Sequence, residues 1–426
     1  MSRRRRYRRG RRKGSWSIGK KVLVALLSIL VISIVTVVGI VASKLNKIDQ
    51  QAINPTELNV SEEAKVRGTG YLNVALFGID SREGWDTSDT RSDTIMIASL
   101  NRETMEVKIT SIYRDTLLEQ SDGTLNKANS AYASGGPEEA VAMLNKNLDL
   151  DIEHYITVDF SALIDVIDAV GGVEIDVQDE EISYINGYAT EIIKATGIDS
   201  MGVFESGPQV LNGVQATAYS RIRYTAGDDF KRTERQRDVL TKVFQKLQNV
   251  NISQINAIVD SVFPKVSTNF TLAEVIDYAK DIFDYNLGET NGFPFDKTTD
   301  SIANIGSIVV PVTLDSNVVQ LHNFLYGSTE GYVVSDTVSG IRSAIVNKIG
   351  NSKADTDESS QQIMNQYDDS YYNTPKDESN NTSNNTSNDN SNDYSNENSE
   401  GDYNDSNSET DIQPDSSTED NSEYTQ

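Results

Sequence analysis

The sequence predicts an α/β protein, with three α/β/α layers around a central mixed sheet, one transmembrane helix before that body and a disordered tail after it. Three observations carry this reading. Between about residues 70 and 350, short β-branched apolar runs alternate with segments of helical spacing. Ahead of them lies one unbroken apolar stretch. Behind them the chain turns to Ser, Asn, Asp and Glu, with repeats such as NNTSNNTSNDNSND.

Residues 1–21 hold eight Arg, three Lys and no acid, and Val22–Ser43 follows as an apolar and small-residue run. At 1.5 Å per residue, about twenty residues span a hydrocarbon core of roughly 30 Å. The basic flank then keeps the N-terminus cytoplasmic and places everything after Lys44 outside, a single-pass cell-membrane topology. A cleaved signal peptide would have a shorter apolar region and a small-x-small exit. The basic arm could bind nucleic acid in isolation, but beside a span it is explained by orientation and anionic lipid, so no nucleic-acid partner is expected. The chain has no cysteine, which excludes disulfides and thiolate chemistry. Residues 44–69 are polar, contain Pro55 and read as a linker. The domain proper is expected at 70–350, with its motifs in 70–250. The tail, 351–426, is too polar to offset chain entropy by burial, and it supplies much of the net charge of −26.

Within the domain, 71–79, 94–100 and 106–112 read as strands, the last two joined by a turn at Asn101–Thr104. A helix is predicted over Ser130–Leu148, opened by Gly135-Gly136-Pro137. Strand 154–159, helix 160–170 closed by Gly171-Gly172, and strand 173–177 follow. Residues 178–210 read as irregular and polar. Ala216–Tyr224 alternates as a strand that would set Arg221 and Arg223 on one side. From a Gly227-Asp228-Asp229 turn a helix should run to about Val250, with further helical patterns at 252–263 and 271–285, a strand at 307–312 and a helix at 316–326.

Five arginines, Arg221, Arg223, Arg232, Arg235 and Arg237, fall within seventeen residues of a strongly acidic chain. Guanidinium forks match phosphate oxygens, and a helix start adds its own donors. A solvated helix face with internal ion pairs is the competing reading. Only His154 and His322 exist, neither in a triad or zinc pattern, which leaves carboxylates and arginines to carry chemistry. Asp80 and Asp93 end or begin strands that could be neighbours, and two carboxylates with phosphate oxygens suit Mg²⁺. Turn capping is the ordinary alternative for each acid. Arginines, separated aspartates and no histidine form the parts list of a phosphoryl-transfer site.

The ordered segments FGIDSR, TRSDTIMIASLN, ITSIYRDTLLE, LNKANSAYASGG, IDAVGGVEIDV and LNGVQATAYSRIRYTAGDDFKRTERQRDVL resemble the LytR-CpsA-Psr family of bacterial cell-envelope proteins. The resemblance covers roughly residues 70–250. It implies transfer of a glycopolymer, teichoic acid or capsular polysaccharide, from a polyprenyl diphosphate carrier to a peptidoglycan hydroxyl, with a groove for the lipid. Carried across by motif, Asp80 and Asp93 would hold Mg²⁺. Arg91, Arg114, Arg221, Arg223, Arg232, Arg235 and Gln236 would bind the diphosphate, with Asn129 a weaker match. Asp229 would be base or orienter of the acceptor, acting with Arg114 and Arg232, while Asp228 beside it competes for that role. Tyr113 and Lys231 depart from the family pattern without removing a charge. Two other readings share these residues: a membrane-anchored regulatory or binding protein for the lipid-linked polymer, and a lipid pyrophosphatase. Helices 160–170 and 140–148 are candidates to line the lipid groove, or else ordinary core.

Overall fold

The structure, a computed structural model, describes residues 48–80, 90–223, 228–281, 283–328 and 331–350. The basic arm, the expected transmembrane run at 22–43 and the acidic tail lie outside the described residues, as do Ser81 and Arg82. Among the described residues no helix is long and apolar enough to cross a membrane.

In chain order the elements are β1 (49–50), α1 (62–67), β2 (71–79), β3 (92–101), β4 (106–112), β5 (117–119), β6 (125–127), α2 (128–148), β7 (154–159), α3 (160–169), β8 (173–177), α4 (179–196), β9 (207–211), α5 (213–220), α6 (228–247), α7 (252–261), β10 (266–268), α8 (272–279), β11 (286–293), β12 (297–302), β13 (306–311), α9 (314–326) and α10 (336–349). Seven strands form a mixed sheet in the order β1-β10-β7-β2-β3-β4-β11. The β2–β3–β4 meander is antiparallel, whereas β7 joins β2 and β11 joins β4 in parallel. The α/β class with a central mixed sheet is therefore as expected.

Strand pleating sends alternate side chains to opposite faces. Ala75, Phe77 and Ile79 of β2 enter a core shared with α2, α9 and α10. Leu76 and Gly78 face the other way, toward α3 and α6. A second apolar cluster, including Ile164, Ile175, Ile185, Val214 and Val239, holds α3 to α6 together with the antiparallel β8–β9 pair.

Several elements differ from the sequence reading. Residues 213–220 are helix, not strand. Asn212 caps that helix with a reciprocal Gln215 pair, and every residue but Gln215 is buried, so no polar face betrays the helical period. Residues 179–196, expected to be irregular, form α4 on a Gln178–Glu181 capping box. Helix α2 starts at Ala128, earlier than expected, and Gly135-Gly136 is a kink within it, where Gly136 adopts φ 65°.

The supposed linker also belongs to the fold. Leu58 is fully buried, and Ser61 caps α1. Asn145 donates to the carbonyls of Leu58 (2.8 Å) and Ile152 (2.9 Å), and its side-chain oxygen accepts from Ile152 N at 2.8 Å. Loss of this amide leaves buried backbone groups unpaired, each worth about 1–3 kcal/mol. Asn145→Ala is predicted to lower stability by about 3 kcal/mol in denaturant titration, with faster proteolysis around residues 54–67. Protection of that segment equal to wild type would show that it is not tied down in this way.

Candidate functional site

Most of the charged residues singled out in the sequence lie at one edge of the sheet, where β2, β4 and β7 end and β3 begins. Local strand chemistry aims the first of them. Gly78 pairs with Thr94 but Ile79 pairs with Ser92, so Asp93 is the extra residue of a β-bulge. A Cβ on Gly78 would sit 2.9 Å from the Thr94 Cβ, and glycine is what allows the two strands this approach. Asp93 is thereby turned to the edge, where it accepts from Arg114 Nη1 at 2.6 Å and lies 3.9 Å from Arg223 Nη2.

Arg114 follows β4, and its Nε is 3.3 Å from Asp229 and 3.8 Å from Asp115. The carbonyl of Arg114 accepts from Asn129 N at 3.0 Å, which is where the start of α2 steadies the motif. Asp229, in the first turn of α6, also lies 3.4 Å from Arg232 Nη1 and 3.8 Å from Arg223 Nε. Burial by itself would raise the Asp229 carboxyl, yet Arg232, Arg114 and Arg223 hold it below the usual carboxylate range. Arg232 has a side chain only 3% exposed; burial and the neighbouring Arg114 press its guanidinium down to about 10. Burial opposes charge on Arg114 too, but Asp229, Asp93 and Asp115 outweigh it and raise that group.

Arg221, just after α5, is 3.9 Å from Asp80 and 3.8 Å from Glu191, and its guanidinium sits over the rings of Phe160 (5.0 Å) and Tyr188 (5.3 Å). Arg91 is exposed just before β3. Of the arginines of α6, Arg235 and Arg237 stand apart from the cluster and border a separate cleft with Glu181 and Tyr219. Arg235 is buried, with Nε and Nη2 each 2.8 Å from Glu181 Oε1, so the expectation that it presents its fork to phosphate is corrected. Three residues absent from the expected set do belong to the cluster: Asp115, Glu191 and Lys127, whose Nζ is 3.1 Å from Asp115. Lys127 stands within the LNKANS motif, which is the signal for it. Asp228 has a side chain outside the described residues.

Beside the charges lies an apolar cavity of about 240 Å³, lined among others by Leu76, Met96, Val158, Phe160, Leu163 and Leu240. Gln236 lines it as well. Thr94 and Ser220 on its wall are the chain neighbours of Asp93 and Arg221, so cavity and cluster adjoin. Of the two helices expected to line a groove, only α3 does; Val141, Leu144 and Leu148 of α2 lie in the core on the opposite face of the sheet. A cleft of about 980 Å³ with mixed polar and apolar lining, bordered by Asp80, Glu191 and Arg221, shares Asp159 and Phe160 with the apolar cavity. Neither histidine is at this edge. His154 stacks on Phe270 at 4.2 Å, and His322 is buried against Tyr332 with its imidazole driven down to about 4.

No group of three or more potential metal ligands of the His/Cys/Asp/Glu type occurs among the described residues. Asp80 and Asp93 have side chains 32% and 30% exposed and face arginines across 3.9 Å and 2.6 Å. Two partly solvated hard oxygen donors of this kind fit a cation that completes its shell with other oxygens and water.

Residues 35–305 match the LytR_cpsA_psr family. Over 277 residues the chain is 27% identical to Biofilm regulatory protein A of Streptococcus mutans, covering 60% of this chain and 64% of that protein. It is 28% identical over 271 residues to the polyisoprenyl-teichoic acid–peptidoglycan teichoic acid transferase TagU of Enterococcus faecalis, covering 62% and 84%. Among solved structures, protein gbs0355 of Streptococcus agalactiae superimposes with a TM-score of 0.53 at 24% identity, over 65% of this chain and 93% of that one. An Enterococcus faecalis protein called a transcriptional regulator gives 0.50 at 25% identity, over 67% and 97%.

The Asp229 carboxyl, lowered in the folded state, binds a proton more readily when unfolded. Its stabilisation is complete above the unfolded carboxylate value of about 3.9 and is lost as the pH falls through the folded value. Asp229→Asn is predicted to cost on the order of 2 kcal/mol at pH 7, less than breaking a fully buried pair because some solvent reaches the site. The gap to wild type should stay flat from pH 7 to 5 and close below about pH 4. Thermal melts that show it widening in acid would contradict the assignment.

Proposed function

The chain belongs to the LytR-CpsA-Psr family, and from that premise we propose that it transfers a glycopolymer from a polyprenyl diphosphate carrier to peptidoglycan. The relatives named as teichoic acid transferases support teichoic acid as the polymer. One observation carries the reading: an apolar cavity adjoins a cluster of Arg114, Arg221, Arg223 and Arg232, and a cleft of mixed lining bordered by Arg221 meets the cavity at Asp159 and Phe160. A lipid chain suits the first, a diphosphate the second and a saccharide the third.

In this mechanism the acceptor hydroxyl oxygen attacks the phosphorus that carries the saccharide. A new P–O bond forms, the bridging P–O bond to the lipid phosphate breaks, and polyprenyl phosphate departs. Charge grows on the phosphoryl and bridging oxygens, and fixed guanidinium groups in a partly dry site stabilise it more than water would. The hydroxyl proton goes to a carboxylate, and Asp229 is the one we assign to receive it. Its ground state, surrounded by three arginines, is a weak base. Diphosphate oxygens that engage those arginines would weaken that restraint and raise its basicity. Asp80 and Asp93 would hold Mg²⁺, whose part is to neutralise diphosphate charge. Phe160 and Tyr188 keep Arg221 extended over their rings, limiting its rotamers before substrate arrives. The single-pass anchor proposed at 22–43 would bring the site to a donor that diffuses in the same membrane.

The test uses the full-length chain in detergent with a polyprenyl-diphosphate-linked saccharide, peptidoglycan fragments and Mg²⁺, with product followed by mass spectrometry. Saccharide phosphate on the glycan is expected, reduced by about 10²–10³ in Arg114→Ala, the scale for loss of one preorganised charge stabiliser. Asp93→Ala should lower it as well, and so should omission of Mg²⁺. Free saccharide phosphate in place of glycan adduct would make the protein a hydrolase, and lipid binding without either product would make it a binding protein.

A further inference from the structure

We infer that Arg235, together with Glu181, is a positioning residue that holds the phosphate-facing arginines in place; the inference rests on the diphosphate reading of the cluster. Both side chains are about 6% exposed. Arg235 donates from Nε to Glu181 Oε1 at 2.8 Å, its Nη2 lies at the same distance, and Nη1 donates to the carbonyl of Ile222 at 3.4 Å. Its guanidinium also lies 5.7 Å from the Tyr219 ring. The second oxygen of Glu181 accepts from Gln178 N at 3.0 Å, closing the capping box of α4.

One planar group therefore joins the first turn of α4, the middle of α6 and the chain just after α5. Ile222 stands between Arg221 and Arg223, so fixing its carbonyl fixes the backbone from which both arginines extend. The far half of α4 supplies Tyr188 and Glu191, two of the four groups around Arg221. Docking one end of α4 on Arg235 thus sets where its other end meets Arg221. An ammonium cannot reproduce this, because its donors radiate from one point whereas a guanidinium spreads them across a rigid fork.

The two possible roles of Arg235 give opposite signs in one variant. In Glu181→Gln a phosphate-binding Arg235 would be released from a competing carboxylate, and anion affinity would rise. A positioning Arg235 would lose its anchor, and affinity would fall. The experiment measures inorganic pyrophosphate binding to the full-length chain in detergent by calorimetry, beside melting temperature and hydrogen exchange. Glu181→Gln is expected to weaken pyrophosphate about tenfold, equivalent to about 1.4 kcal/mol, with faster exchange at residues 219–223. Unchanged or tighter binding overturns the proposal. If Glu181→Gln does not fold, Arg235→Lys, which keeps the charge, carries the same test: several-fold weaker binding with a near-native melting temperature supports positioning, and wild-type affinity overturns it. Should the wild-type chain fail to bind pyrophosphate, the diphosphate reading falls, and exchange at 219–223 alone decides whether Arg235 positions that segment.

Discussion

Crowded like charge is the constraint around which this sheet edge is built. Arg114, Arg223 and Arg232 converge on a single carboxylate, Asp229. Partly screened from water, three guanidinium groups would repel one another strongly without it. Asp93 and Asp115 share the same duty toward Arg114. Each acid comes from a different element, so the sheet, the start of α6 and the loop after β4 have to be in register before the charges balance. Charge balance among these side chains and correct folding of their surroundings are one condition.

The apolar cavity shapes what those charges can do. Its apolar walls lie beside Asp93 and Arg221 through Thr94 and Ser220, and a less polar surrounding strengthens charge interactions there relative to open solvent. An anion attached to an apolar chain would meet both environments at once. A free phosphate would lose the second. On the proposed reading, that adjacency would favour a lipid-borne diphosphate over a soluble one, with no residue dedicated to the distinction.

Much of this was legible from residue order. The strands at 71–79, 106–112 and 154–159 fall where alternation and β-branching put them, and Asp80, Asp93, Arg114, Arg221, Arg223, Arg232 and Asp229 do converge. The failures have physical causes. Residues 213–220 are enclosed on nearly every side, and a helix without a wet face has no period to read. Helix α4 did carry a signal, since Glu181, Ile185, Ala189 and Ile192 fall on one face, but a glutamate in that row hid it. Arg235 was misplaced because spacing along a helix leaves direction ambiguous. At 100° per residue, Arg235 and Gln236 diverge to opposite sides of Arg232, one toward α4 and the other toward the cavity. Which side faces the ligand depends on what packs against the helix, and that is a tertiary fact.

The bulge at Asp93 has a consequence for how this chain is compared with others. A strand residue usually contributes through its identity, and its neighbours keep their partners when it is replaced. Here the acid is present as a surplus position, opposite no partner on β2. Removing it would let Ser92 and Thr94 close into an unbroken ladder, and the sheet would be regular without it. In an aligned relative, the absence of this acid would appear as a one-residue gap within a strand, a place where gaps are ordinarily taken for alignment error.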